Sequence, residues 1–232
     1  MEQPRVGVII VAGGSGKRMG GTLPKQFSFV GGEPILARTI NTFRKALPTA
    51  RIVVVLPAEY INFWKNLSAR FEVAKHSVVE GGAERFYSVK NGIEALSDAV
   101  DLIAVQDGVR PFATKELILR TVACAAENGA AIPVVKAVDS YRAVEGEASH
   151  IVDRTPLRIV QTPQIFAAPT LRAAYDTDFR SEFTDDASVV EYSGETVSLC
   201  EGDYLNIKIT TPNDIALANA ILAMRDEEEI EK

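Results

Sequence analysis

Five short runs rich in β-branched residues, VGVIIV (6–11), RIVVVL (51–56), HSVVE (76–80), DLIAV (101–105) and AAIPVV (130–135), alternate with four longer segments of helical spacing at 34–46, 59–70, 84–96 and 114–128. Runs that are apolar throughout, instead of at every second position, belong to strands covered on both faces. Strands separated by single helices return in the same direction, so this alternation predicts an α/β fold: a Rossmann-like three-layer sandwich around a mostly parallel sheet. Length agrees with one domain, because 232 residues at 47% hydrophobic content suffice for one large core and the chain carries neither a repeat nor a low-complexity linker.

The alternation stops after Val135. Residues 136–158, KAVDSYRAVEGEASHIVDRTPLR, alternate polar and apolar positions on both sides of EGEAS, which predicts a β-hairpin inserted into the domain and projecting from it. A lone hairpin is marginally stable, so a second subunit is the simplest surface for it to pack on. The chain then returns through IVQTPQIF (159–166), a helix after Pro169, another from about Thr184, a strand at VSLCE (197–201) and a last helix opened by TTPND (210–214).

In a sheet of this kind the ligand crevice lies beyond the carboxyl ends of the strands. There the chain has AGGSGKRMGGTLPKQF (12–27) after the first strand, EGGAERFYS (80–88) after the third and QDGVRPF (106–112) after the fourth. The first of these holds five glycines and the cations Lys17, Arg18 and Lys25 without one acidic residue, inside a protein whose net charge is -6. A chain this acidic is not drawn as a whole to nucleic acid or to an anionic membrane, and an anion it binds must meet a local basic cluster. The loop is neither of the two commonest phosphate cradles. Val11 stands where a Walker A loop needs its first glycine, and Met19 where a dinucleotide fingerprint starting at Gly14 needs glycine or alanine. What remains is a turn whose free backbone N–H groups can line a triphosphate, followed by three cations.

VAGGSGKRMG with LPKQF resembles the signature of the sugar-phosphate nucleotidyltransferases, in the branch of the methylerythritol phosphate cytidylyltransferases. The likeness runs on through GGAERFYSV, QDGVRPF, AVDS, VDR, QTPQIF, FTDDAS and NIKIT, in that order. It implies Mg2+-dependent transfer of a cytidylyl group from CTP to methylerythritol phosphate, with release of pyrophosphate, by a cytoplasmic homodimer joined through the 136–158 arm. By the same resemblance Arg18, Lys25, Lys208 and Arg154 are the catalytic cations, and Asp107 holds the metal. Ala12, Gly13, Gly14, Gly16, Gly82, Ser88, Asp107 and Gly108 bind the nucleotide; Arg110, Ser140, Arg154, Thr162, Thr184 and Lys208 bind the acceptor. Of the acceptor group, Arg110, Ser140 and Arg154 are expected to serve the partner's site.

The chain departs from the pattern at Ala83, where many relatives have aspartate, and at Gln106, where many have histidine. His76 and His150 stand alone and read as structural or exposed, and Cys124 and Cys200 are too far apart in sequence, and too isolated from other ligand types, to suggest a disulfide framework or zinc. Two other readings stay open: transfer to ribitol 5-phosphate, which the opening loop and VRPF fit equally, and a nucleotide-binding regulator without turnover. VDR and TDDAS favour methylerythritol phosphate.

Overall fold

A computed structural model describes residues 4–14, 23–97 and 99–230, the last five of these as backbone only. The predicted strands appear as β1 (Val6–Val11), β4 (Arg51–Leu56), β5 (Ser77–Glu80), β6 (Leu102–Asp107) and β7 (Ala130–Lys136), with a small hairpin of β2 (Phe29–Val30) and β3 (Glu33–Pro34) after the opening loop. The predicted helices are α1 (Ile35–Ala46), α2 (Ala58–Ser68), α3 (Arg85–Ala95) and α4 (Lys115–Asn128). Helix α4 shows why its ends fall where they do. The Thr114 hydroxyl accepts the Leu117 N–H at the start, and Gly129 takes φ +83° at the end, a left-handed geometry that costs glycine little.

Strands β1, β4, β5 and β6 pair in parallel in the order β6, β1, β4, β5. Successive side chains of a strand point to opposite faces. Val8 and Ile10 of β1 therefore pack with Leu36, Ile40, Trp64 and Ile118 from α1, α2 and α4, while Ile9 packs with Phe86, Val89 and Ile93 from α3 and with Leu171 and Val190 from α5 (Ala168–Ala174) and α6 (Asp186–Tyr192). This is the three-layer sandwich.

The second half is more mixed than simple alternation implies. IVQTPQIF forms two strand segments that run antiparallel to β7: β10 (Arg158–Val160), which pairs with β7 alone, and β11 (Gln164–Ala167), which lies between β6 and β7. Val160 pairs with Val134 but Ile165 with Ala131, so this line of strand carries two more residues than its partner across the break; Gln161 still donates its N–H to the Pro133 carbonyl, and the extra chain bulges out at Thr162–Pro163. Strand β12 (Ser198–Glu201) pairs parallel to β7 on its other side.

The arm is shorter than predicted. Lys136 and Arg158 still pair within the main sheet, and the projecting hairpin is β8 (Tyr141–Glu145) with β9 (Ala148–Val152), turned at Gly146 and paired only with each other. It leaves Val138, Val144 and Ile151 60%, 71% and 66% exposed. The closing helix α7 (Pro212–Ile230) lays Ala218 and Ile221 on Val30, Ile35, Phe112 and Ile209, a small separate core beneath the functional rim. Among the described residues no helix is long and apolar enough to cross a membrane, and both cysteines are free thiols.

Candidate active site

Two cavities open side by side at the carboxyl ends of β1, β5 and β6. The first, of about 250 Å3, is lined by Ala12, Gly13 and Gly14 from the end of β1, by Lys25, and by Gly82 and Ser88 from the loop between β5 and α3. The second, of about 300 Å3, is lined by Arg110, Thr162 and Thr184. Arg85, Asp107 and Lys208 line both, so they form the wall between them.

In the first cavity the backbone is held from behind. Gln26, buried, donates from its side-chain amide to the Ala12 carbonyl at 2.6 Å, and this ties the chain after the opening loop to the chain before it. Lys25, Gln26 and Phe27 form one turn of 3-10 helix, so anchoring Gln26 and Phe27 fixes the backbone of Lys25. Ser88 accepts the Gly82 N–H at 3.1 Å and donates to the Glu84 carbonyl at 3.2 Å. At Gly82 a Cβ would lie 2.2 Å from Tyr87 Cβ, so glycine is required there by close packing.

The wall is a charge cluster. β6 runs two residues further than its apolar run suggested, and its last residue, Asp107, receives Lys208 Nζ at 2.9 Å and Arg110 Nε at 3.2 Å, both on Oδ2. Burial pushes the Asp107 carboxyl up, but Lys208, Arg85 and Arg110 outweigh it and hold the group at about 2, so Asp107 is charged throughout the neutral range. Around the two cavities the cations Lys25, Arg85, Arg110 and Lys208 face the carboxylates Glu84, Asp107 and Asp185. This is a local cluster of cations, largely balanced by carboxylates, that a polyanion can engage.

Thr162 comes from the bulge, where its hydroxyl accepts the Asp107 N–H at 3.1 Å. Thr184 precedes α6, whose N-cap Asp185 accepts the Ser188 N–H at 3.0 Å and the Gln164 side-chain amide at 2.7 Å.

Two residues around this site carry no signal that motif reading picked up, and a third, Gln106, entered only as a departure from the pattern. Arg85 makes a two-pronged pair with the fully buried Asp186, at 2.9 and 2.7 Å, and Tyr175 donates to the same carboxylate at 2.7 Å. Asn206 donates to the Thr162 carbonyl and its own carbonyl receives Arg110 Nη1, binding the NIKIT segment to both. Gln106 is fully buried and donates to the Arg110 carbonyl at 3.0 Å, so this position braces the VRPF turn. An arginine in GGAERFYS and amides flanking charged motif residues were the available clues.

Other expectations need correction. Arg110 sits against Asp107 of its own chain, because a turn of only three residues separates them and the arm begins far downstream, so it lines this chain's own second cavity. Gly108 lines neither cavity: its N–H goes to the Val11 carbonyl at 2.9 Å and its carbonyl accepts the Thr39 hydroxyl at 3.1 Å. A Cβ there would stand 3.0 Å from Ala12 Cβ, so Gly108 lets the ends of β1 and β6 close up. Ser140 and Arg154, expected to serve a partner's site, flank the hairpin, exposed, with Arg154 donating to the Val138 carbonyl, and line neither cavity of their own chain, which leaves that expectation as it stood. Gly16 and Arg18 lie outside the described residues.

The family model for IspD, 2-C-methyl-D-erythritol 4-phosphate cytidylyltransferase, matches residues 6–224. The chain belongs to this family. Its curated relatives include the 2-C-methyl-D-erythritol 4-phosphate cytidylyltransferase of Bacteroides thetaiotaomicron, 49% identical over 216 residues that cover 93% of this chain and 98% of the relative. The protein of the same name from Geobacillus kaustophilus is 41% identical over 222 residues, covering 94% and 96%. Among solved structures, the 4-diphosphocytidyl-2C-methyl-D-erythritol synthase of Anaerococcus prevotii superposes with a TM-score of 0.80 at 30% identity, covering 96% of this chain and all of that one. The cytidylyltransferase of Thermus thermophilus superposes with a TM-score of 0.75 at 35% identity, covering 94% and 98%. The span matched to the cytidylyltransferase family contains both cavities and the whole of the wall between them.

Proposed function

We infer that this protein transfers the cytidylyl group of CTP to 2-C-methyl-D-erythritol 4-phosphate, releasing pyrophosphate and forming 4-diphosphocytidyl-2-C-methyl-D-erythritol. The observation that carries the reading is the shared wall: a pocket lined by glycine backbone and a second, hydroxyl- and cation-lined pocket meet at Asp107 and Lys208. Transfer between two bound phosphates needs such a meeting point, because it brings reacting atoms together that would otherwise repel.

CTP enters the first cavity with its base toward Gly82 and Ser88, where backbone groups and a hydroxyl read a pyrimidine edge. The acceptor phosphate takes the second cavity, against Arg110, Thr162, Thr184 and Lys208. Its oxygen attacks the α-phosphorus while the bond to the β-phosphate breaks, and the charge that develops meets Lys25 on one side and Lys208 on the other. Asp107 holds Lys208 extended toward this centre. Arg18 is assigned the departing phosphates on the strength of its motif.

The donor set fits Mg2+. Both cations bond to Asp107 Oδ2, which leaves Oδ1 for a hard cation, and among the described residues no cluster of three or more His, Cys, Asp or Glu could form a full cage. Mg2+ in nucleotide sites takes its other ligands from phosphate and water, and there it supplies charge compensation for the triphosphate. The exposed arm, with its apolar Val144 and Ile151, is assigned to a homodimer in which Ser140 and Arg154 complete the partner's acceptor cavity. A reducing, cytoplasmic setting suits the free thiols.

Pyrophosphate release with CTP and Mg2+, measured side by side for methylerythritol phosphate and ribitol 5-phosphate, tests the reading. Methylerythritol phosphate is expected to be the better acceptor by kcat/KM; turnover of ribitol phosphate alone would replace this function with its sister activity.

A further inference from the structure

Lys25 stands on a turn whose next apolar residue is the fully buried Phe27. Three side chains of α2 surround that ring: Trp64 stacked at 6.0 Å between centroids, Phe63 edge-on at 5.1 Å and Tyr60 tilted at 5.7 Å. Trp64 is itself fully buried, and its indole N–H donates to His76 Nε2 at 3.0 Å. On the other side of the imidazole, Nδ1 lies 2.7 Å from the Ala74 carbonyl.

These two partners settle the tautomer. A carbonyl can only accept, so Nδ1 carries the proton; an indole N–H can only donate, so Nε2 offers its lone pair. The arrangement works for the neutral ring alone, since a second proton would set N–H against N–H.

We propose that His76 and Trp64 are positioning residues for the transfer reaction: neutral His76 fixes the indole of Trp64, Trp64 fixes Phe27, and Phe27 fixes the turn that presents Lys25. The proposal rests on the reading of Lys25 as a transfer cation given above. It makes the site sensitive to protonation at a residue outside the substrate cavities.

Most of the ring's surroundings oppose that protonation. Arg44 of α1, Arg51 of β4 and Lys75 of the preceding loop line the same cavity as His76, and each is cationic. Burial lowers the imidazole from its ordinary 6.5, against a smaller opposing contribution from the Ala74 carbonyl. His76 is thus neutral at pH 7, and the relay is intact there and fails only as pH falls below 6.5.

The test uses the full-length protein and its single tryptophan as reporter. His76→Leu removes the acceptor and is expected to lower kcat about tenfold while KM for CTP changes far less, as for other small displacements of a catalytic group. In a Trp64→Phe background, where no indole N–H needs a partner, the same His76→Leu change is expected to cost little, and that non-additivity is the signature of the relay. His76→Gln, which offers an acceptor at similar reach, restores most of the kcat lost in His76→Leu. Trp64 fluorescence titrates below pH 6.5 in the wild type and not in His76→Gln. The ratio of wild-type to His76→Gln kcat falls with the same midpoint, and taking the ratio removes titration of the substrate phosphates.

A ratio flat in pH, or an equal loss from His76→Leu in both backgrounds, overturns the proposal. Should His76→Leu fail to fold, the pH ratio decides alone. Lys25→Ala run in the same assays separates the two claims. Full activity in Lys25→Ala removes the role of Lys25 itself, whereas an inactive Lys25→Ala beside a flat ratio removes only the relay.

Discussion

At the scale of single residues the account depends on charges that hold one another in place. Asp107 titrates at about 2 against an ordinary 3.8. Between those values the unfolded chain binds the proton first, so stability rises with pH there; the contribution of Asp107 is complete above about pH 4 and is lost as pH falls through about 2. Acid unfolding followed by circular dichroism should therefore show less loss of stability between pH 4 and 2 in Asp107→Asn than in the wild type. The same variant is expected to lose about 10²-fold or more in kcat, since it releases Lys208 and Arg110 together. Arg85 makes a different prediction. Removing it in Arg85→Leu strands the buried Asp186, and urea denaturation should show a loss of about 3 kcal/mol. Of these four charged residues, motif reading found Asp107, Lys208 and Arg110, because each ends or sits in a recognisable stretch. It passed over Arg85 because the partner that makes it important lies 101 residues away.

At the scale of elements, most of the frame was legible in the sequence. Doubly buried strands announce themselves by unbroken apolar runs, and β1 and β4 begin and end where those runs do. Strand β6 ran on through Gln106 and Asp107 because β1 keeps pairing with it on one side, Ile10 with Gln106 and Val11 with Asp107, while the Thr162 hydroxyl takes the Asp107 N–H on the other, and a polar residue can sit in a strand when its partners are supplied. The return through IVQTPQIF was harder. Nothing local told a reader that it would run antiparallel to β7 and set β11 between β6 and β7, since strand order is decided by pairing across long separations. That bulge, and the cap of α6 beside it, build the acceptor cavity, so they are the place to perturb it. Asp185→Ala removes the N-cap and frees Gln164; it should cost about 1 kcal/mol in thermal unfolding and raise KM for the acceptor more than KM for CTP.

At the scale of the molecule the sheet brings the first and last thirds of the chain to one rim, which is why Lys25 and Lys208 line one cavity. The arm is the part a single chain leaves unfinished. In the homodimer proposed above, Arg154 serves the neighbouring site, so Arg154→Ala and Lys25→Ala, each inactive, should complement on mixing. Recovery of about a quarter of the wild-type rate is expected, because half of randomly paired dimers are mixed and each of those has one intact site. No recovery, with subunit exchange shown by size, would return Arg154 to its own chain. The central claim is that two bound phosphates meet at the wall formed by Asp107 and Lys208, and pyrophosphate release tests it most directly. Wild-type protein with CTP and Mg2+ should release pyrophosphate only when methylerythritol phosphate is added, and Lys208→Ala should do so about 10²-fold more slowly or worse. Release that proceeds equally without an acceptor, or at full rate in Lys208→Ala, would contradict it.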